Sequence, residues 1–193
     1  MRKVSLTRTT AETDIALTLN LDGTGKSHID TSVRFFDHML TLFAAHGGFD
    51  LDLKAVGDDV DTHHVIEDIG ILLGNAFDQA LGDKKGITRY GCEFLPMDES
   101  LCRVCVDISG RPYLVYHVNL TREFIGDFEC EMLKEFLIAF ANNAKIALHV
   151  ENLYGDNNHH IVEGIFKGFG RAMATVVRVN PNDARVPSTK GVL

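Results

Sequence analysis

Basic residues are in short supply: 19 Lys and Arg stand against 27 Asp and Glu, giving a formal net charge of -8 over 193 residues. No long Lys/Arg run occurs, which excludes a general nucleic-acid partner, whose electrostatic footprint would be basic. Any anionic ligand must be held by a few local cations. Long apolar runs are also missing. No stretch approaches the roughly 18 apolar residues of a membrane span, and the basic start Arg2-Lys3 is not followed by an apolar export segment, so a soluble, cytoplasmic protein without a membrane partner is expected. Cysteine is scarce. Cys92, Cys102, Cys105 and Cys130 are too few for a disulfide scaffold at this length and suit a reducing compartment. Cys102 and Cys105 have CxxC spacing. The segment from Ser100 to Ile108 nevertheless reads as a strand, where positions three apart face opposite ways, and no second such pair exists. Structural cysteines are expected.

What is present is a core-forming composition, 45% hydrophobic and 24% charged, long enough for one domain or two small fused halves. Arg2 to Leu21 reads as two strands with a turn near Thr10 to Glu12, and Gly25 to Val33 as a third. A helix follows from Arg34 to His46, then a short strand over Phe49 to Leu53, then a helix from about Thr62 to Leu81 ending at Gly82. The order recurs. Strands near Arg89 to Phe94, Leu101 to Ile108 and Tyr113 to Val118 precede a helix from about Glu129 to Ala144. A strand over Ile146 to Val150 and a helix capped by Asp156 or Asn157 and running to about Val177 complete the second copy. The spacing predicts an α+β fold of two half-domains, βββαβα repeated, over 1–86 and 87–180, with 181–193 as an extended C-terminal arm.

The chemistry lies in two matching boxes, His63-His64-Val65-Ile66-Glu67 and His159-His160-Ile161-Val162-Glu163, each opening the second helix of its half. On a helix, positions i and i+4 lie about 40° apart while i+1 is rotated about 100° from i. His63 with Glu67, and His159 with Glu163, can therefore grip one ion each. His64 and His160 point sideways, so each reaches a different metal or serves none. One His-His pair near a helix start is as readily a cap or a solvated face. Two with the same spacing at the same place in a duplicated unit point to metal. His38, on the helix before the first box, is a further candidate, and repeat arithmetic with one residue of slippage makes Glu135 its counterpart. Imidazole and carboxylate ligands without thiolate suit Mn, Fe, Co, Ni or Zn. The order of residues is not His-Glu-x-x-His, which argues against a metalloprotease.

These motifs, together with Arg8-Thr9-Thr10-Ala11-Glu12-Thr13, Phe36-Asp37-His38-Met39-Leu40, Pro96-Met97-Asp98-Glu99, Ser109-Gly110-Arg111-Pro112, Gly155-Asp156-Asn157-Asn158 and Pro187-Ser188-Thr189-Lys190, span nearly the whole chain. As a set they resemble the imidazoleglycerol-phosphate dehydratase family, lyases of histidine biosynthesis. The resemblance implies the two-layer fold called ribosomal protein S5 domain 2-like. It also implies two Mn2+ ions per active site, with His38, His63, His64, Glu67, His159, His160 and Glu163 among the ligands. Many relatives place a histidine where this chain has Glu135, an eighth candidate. Implied substrate contacts are Glu12, His38, His46, His63, Glu67, Arg89, Arg111, Ser188, Thr189 and Lys190, with Glu12, Glu67 and Glu163 as catalytic groups. The partner implied is a small phosphorylated imidazole, bound by a homo-oligomer of about 24 chains with sites shared between chains.

The reaction explains the need for metal. The hydroxyl to be lost sits on the carbon attached to the imidazole ring, and the proton on the next carbon is barely acidic. Two metals on the ring nitrogens would stabilise an imidazolate able to expel the hydroxyl; proton removal would then give an enol and, from it, imidazole-acetol phosphate. Glu12, in a turn among polar residues, is the expected general acid/base. The alternative is a non-enzymatic metal store or sensor, but the strands break a ferritin-like bundle pattern and the Arg and Ser-Thr-Lys positions would have no role there. A different metal lyase or a phosphoesterase on the same scaffold is a further rival, which a product assay separates.

Overall fold

A computed structural model describes residues 2–58 and 60–193. The first half runs through strands β1 (Lys3–Thr9), β2 (Thr13–Asn20) and β3 (Ser27–Asp30), helix α1 (Arg34–Gly47), strand β4 (Asp50–Gly57) and helix α2 (His63–Leu81). The second runs through β5 (Tyr90–Met97), β6 (Ser100–Asp107), β7 (Tyr113–His117), the short β8 (Phe124–Ile125) and β9 (Phe128–Glu129), α3 (Met132–Ala144), β10 (Ala147–Tyr154) and α4 (Asn158–Val176). The two main sheets have the same topology, β1-β2-β4-β3 and β5-β6-β10-β7. In each, three strands are antiparallel and the edge strand, β3 or β7, pairs parallel with β4 or β10. The α+β class and the repeated order legible in the sequence are those the chain adopts.

Each sheet alternates a buried and an outward face, as β2 shows with Ile15, Leu17 and Leu19 inward. The helices cover the buried faces and then meet each other across the halves: α1 packs on α4 and α2 on α3. The result is sheet, helices, helices, sheet. α1 buries Phe36, Met39, Leu40, Phe43, Ala44 and Gly47, a stripe at helical spacing. Between the helix pairs sits a continuous phenylalanine cluster: Phe43 lies 5.0 Å from Phe169 and 6.3 Å from Phe140 between ring centroids, and Phe140 lies 4.9 Å from Phe169. Those aromatic contacts join elements of both halves, so neither half closes its core alone. No helix is long and apolar enough to cross a membrane among the described residues.

The β8–β9 hairpin was not anticipated, and helix α3 accordingly begins at Met132 rather than about Glu129. Its role is visible at α1. The N-cap residue of α1, Val33, has no side-chain acceptor, and the carboxylate of Asp127 in the hairpin turn accepts instead from Arg34 N at 2.9 Å and Phe35 N at 3.0 Å. The cap comes from the other half, where sequence spacing has no means of finding it. The cysteine reading also needs correction in part. Cys102 faces the core and Cys105 the outer side, as strand geometry requires, but Cys105 is directly opposite Cys92 in the β5–β6 ladder and is joined to it as a disulfide. Cys102 and Cys130 are free and buried.

Candidate metal centre

Both boxes open helices. Asp61 Oδ1 accepts from His63 N at 2.8 Å, and Asn157 Oδ1 from His159 N at 3.0 Å, so a polar side chain two residues ahead fixes each helix start. This seats the i and i+4 pairs as expected: His63 Nε2 is 3.7 Å from Glu67 Oε2 and His159 Nε2 is 3.0 Å from Glu163 Oε2. His38 completes the second pair. Its Nε2 lies 3.7 Å from Glu163 Oε2, and the donor atoms of His38, His159 and Glu163 all lie within 4.8 Å of one another.

The grouping crosses the halves because α1 packs on α4. That packing is close: a Cβ on Gly170 would sit 2.5 Å from the Phe43 carbonyl oxygen. Glu163 is nearly buried, and burial alone would raise its carboxyl pKa. Hydrogen bonds from Lys167, 2.6 Å from Oε1, and from His159 outweigh that and hold it below the ordinary value. One oxygen is thus neutralised by the lysine while the other faces two imidazoles.

A second group joins Glu12, Asp58 and His64. His64 Nδ1 lies 3.0 Å from Asp58 Oδ2, and its Nε2 lies 3.9 Å from Glu12 Oε1. The turn carrying Glu12 is pinned to α2, since the Thr13 hydroxyl donates to Asp68 Oδ2 at 2.5 Å and Arg8 Nη2 reaches Asp68 Oδ1 at 2.8 Å. The other half repeats the theme. His160 Nδ1 lies 2.7 Å from Glu99 Oε2, and its Nε2 lies 3.8 Å from Asp98 Oδ2. These carboxylates raise the pKa of both imidazoles through the hydrogen bonds of Asp58 and Glu99, and Glu99 itself falls to about 2 through its bonds to His160 and the Asn157 amide. Asp58, Asp98 and Glu99 were not singled out as site residues; their signal was that Asp98 and Glu99 lie in the same hairpin turn of their half as Glu12 does in its own.

Not every candidate converges. Glu135 belongs to neither group among the described residues; it lines a hollow of about 560 Å³ with Glu129, Arg122 and Lys134. His46 sits on α1 beside α4, and its pKa is lowered by burial and by the charges of Lys167 and Arg171. The cations form their own cluster. Arg89, with φ of 73°, donates from Nε to Asp107 Oδ1 at 2.8 Å and from Nη1 to the Pro187 carbonyl at 2.7 Å. Ser188 and Thr189 line a hollow of about 780 Å³ with Arg89, Tyr90 and Arg185. Lys190 N donates to Ser188 Oγ, and Arg111 follows Gly110, against which the Leu193 backbone packs. All these groups lie at the far end of α4. Arg89 N donates to the carbonyl of Val176, the last residue of α4, whereas His160 is in its first turn, about 24 Å away at 1.5 Å per residue.

The donor set suits a borderline first-row divalent ion: imidazole nitrogens and carboxylate oxygens converge with no thiolate in the cluster. A family model described as imidazoleglycerol-phosphate dehydratase matches residues 31–173, which include His38, both boxes, Arg89 and Arg111. Proteins of that name from Methylobacterium radiotolerans and Acetivibrio thermocellus are 57% and 56% identical to this chain, over all of it and over 100% and 99% of their own lengths. The crystal structure of imidazoleglycerol-phosphate dehydratase from Staphylococcus aureus is 42% identical with a TM-score of 0.84, over 92% of this chain and 99% of that one. The enzyme from Pyrococcus furiosus, solved in complex with (S)-C348, is 40% identical with a TM-score of 0.85, over 97% of this chain and 100% of its own. Fold, donor geometry and full-length similarity agree: this chain belongs to the imidazoleglycerol-phosphate dehydratase family.

Proposed function

We propose that the chain is a metal-dependent hydro-lyase of histidine biosynthesis that dehydrates imidazoleglycerol phosphate to imidazole-acetol phosphate. The observation that carries the reading is the convergence of His38, His159 and Glu163 from two helices, in a chain whose first box repeats the i, i+4 pairing with His63 and Glu67. His38, His159 and Glu163 would hold one Mn2+, and His63 and Glu67, with Glu135, the second; His64 and His160 would reach metals held by neighbouring chains. When bound, such metals supply Lewis-acid polarisation of the imidazole ring nitrogens, so that the ring can expel the neighbouring hydroxyl.

The residues of the chain do the rest. Arg89, Arg111 and Lys190, with the Ser188 and Thr189 hydroxyls, hold the phosphate, the arginines as planar forks and the lysine as a point charge. His46, beside Lys167 and Arg171, contributes at the substrate's rim. Glu12 takes the proton from the carbon next to the hydroxyl-bearing one and protonates the departing hydroxyl. The C–H pair becomes the C=C bond of an enol, one water leaves, and the enol tautomerises to the ketone with the phosphate ester intact.

The length of α4 supports a site shared between chains, because its two ends carry the metal box and the cation cluster separately. We therefore propose a cytoplasmic homo-oligomer of about 24 chains, its subunit organised as half-domains 1–86 and 87–180 with 181–193 closing over the phosphate. The test is a product assay with imidazoleglycerol phosphate. Loss of water with phosphate retained on the product is expected; release of inorganic phosphate, or no turnover with Mn2+ present, overturns the reading.

A further inference from the structure

His64 and His160 hold their rings in a shared way that the proposed chemistry does not itself require. Each presents Nδ1 to a carboxylate within hydrogen-bond reach, Asp58 at 3.0 Å and Glu99 at 2.7 Å, and leaves Nε2 directed toward nothing closer than 3.8 Å among the ion pairs described. The two carboxylates are not copies of one another in the repeat. Glu99 lies in the turn between β5 and β6, whereas Asp58 lies in the connection between β4 and α2. The same contact is built from two different places.

A neutral imidazole carries one N–H, and an ionised carboxylate can only accept. A carboxylate against Nδ1 therefore places the proton there and leaves the Nε2 lone pair free. We propose that Glu99 and Asp58 are positioning residues that fix His160 and His64 in the Nδ1–H tautomer, with Nε2 presented to a divalent metal. This rests on the metal-binding reading above. The bland role for Glu99 is to cap α4, since its Oε1 accepts from Asn157 N at 2.9 Å, Asp156 N at 3.3 Å and Ser100 Oγ at 3.0 Å. Those bonds engage Oε1 and leave Oε2 aimed at the ring. The cap thereby fixes the direction of the carboxylate, as outer-shell partners of metal-bound histidines do.

Glu99→Gln separates the two roles. The amide oxygen still accepts from the Asp156 and Asn157 amides, and its NH2 then faces Nδ1, which inverts the preferred tautomer and puts a proton on Nε2. The test uses the full-length protein with Mn2+ alone as titrant, together with 15N spectra of the histidines in the metal-free state. The metal-free wild type, held alkaline enough for its imidazoles to be neutral, should show His160 in the Nδ1–H form, and it should bind two Mn2+ per chain. In Glu99→Gln that signature should be lost and one of the two Mn2+ affinities should fall about 10–100-fold, with thermal unfolding unchanged. Asp58→Asn should weaken the other. If Glu99→Gln and Asp58→Asn bind both ions as tightly as the wild type, the positioning roles are wrong while the metal sites stand. A wild type that binds no Mn2+ overturns the metal reading and this proposal with it.

Discussion

Arg89 donates its backbone amide to the carbonyl of Val176 at 3.0 Å, which ties the cation cluster to the C-terminal end of the helix whose first turn carries His159 and His160. A small substrate cannot bridge the length of α4, so on the proposed reading a working site would take its metals from one chain and its phosphate grip from another. Two inactive variants should then rescue each other. His159→Ala removes a metal ligand and Lys190→Ala a phosphate contact. Co-expressed with different tags, they should assemble mixed oligomers that regain up to about a quarter of wild-type activity, the fraction of sites receiving both intact halves by random assembly. A mixture as inactive as its parents would place both halves in a single chain.

Glu12 stands in a turn held by Thr10, Thr13 and Asp68, with its side chain exposed on the side of His64. Glu12→Gln keeps the shape and removes the proposed base. Turnover should fall by about 10²–10⁴-fold, with Mn2+ stoichiometry and substrate affinity retained in a direct binding measurement. Unchanged turnover takes Glu12 out of the mechanism.

The approach of α1 to α4 depends on Gly170, where a Cβ would meet Phe43 O at 2.5 Å and Gly47 N at 3.1 Å. Gly170→Ala should push the helices apart at a cost of about 1–3 kcal/mol, read as a lowered denaturant midpoint. His38 is on one of these helices and Glu163 on the other, so Mn2+ binding should weaken in the same variant. A variant with native stability and affinity would show that the helices accommodate the methyl group without moving the ligands.

Much of this was legible beforehand, and the misses have a common origin. The duplicated boxes, the i and i+4 pairs and the helix starts are local, and spacing finds them. His38 was found as a ligand candidate, but its partners were not: α1 meets α4 only after two sheets form, so its grouping with His159 and Glu163 depends on packing across the halves. Asp127 capping α1 from 92 residues away and Cys92 opposite Cys105 are of the same kind, set by a hairpin or a register. The carboxylates on His64 and His160 come from a loop and a turn, where no periodicity marks them.

Asp78 on α2 pairs with lysines that follow α2 and α3. It takes Lys84 Nζ at 2.8 Å and Lys145 Nζ at 2.6 Å, and although burial opposes ionisation, these lysines hold its carboxyl below the ordinary value of 3.8. A depressed folded-state pKa means that the stabilisation is fully present above the unfolded value and is lost as pH falls through the folded one. Asp78→Asn leaves the buried Lys84 without its counter-charge and should cost about 2 kcal/mol near neutral pH. The gap between variant and wild type should narrow in urea melts below about pH 3.8. A gap independent of pH would assign the loss to shape rather than charge.

Convergent imidazoles and carboxylates fit a metal-dependent dehydratase, and chelation puts that reading to the test. Protein stripped of metal should lose turnover of imidazoleglycerol phosphate and recover it on titration with Mn2+, with the recovery complete at two ions per chain. Full turnover by protein shown to be metal-free would contradict the account.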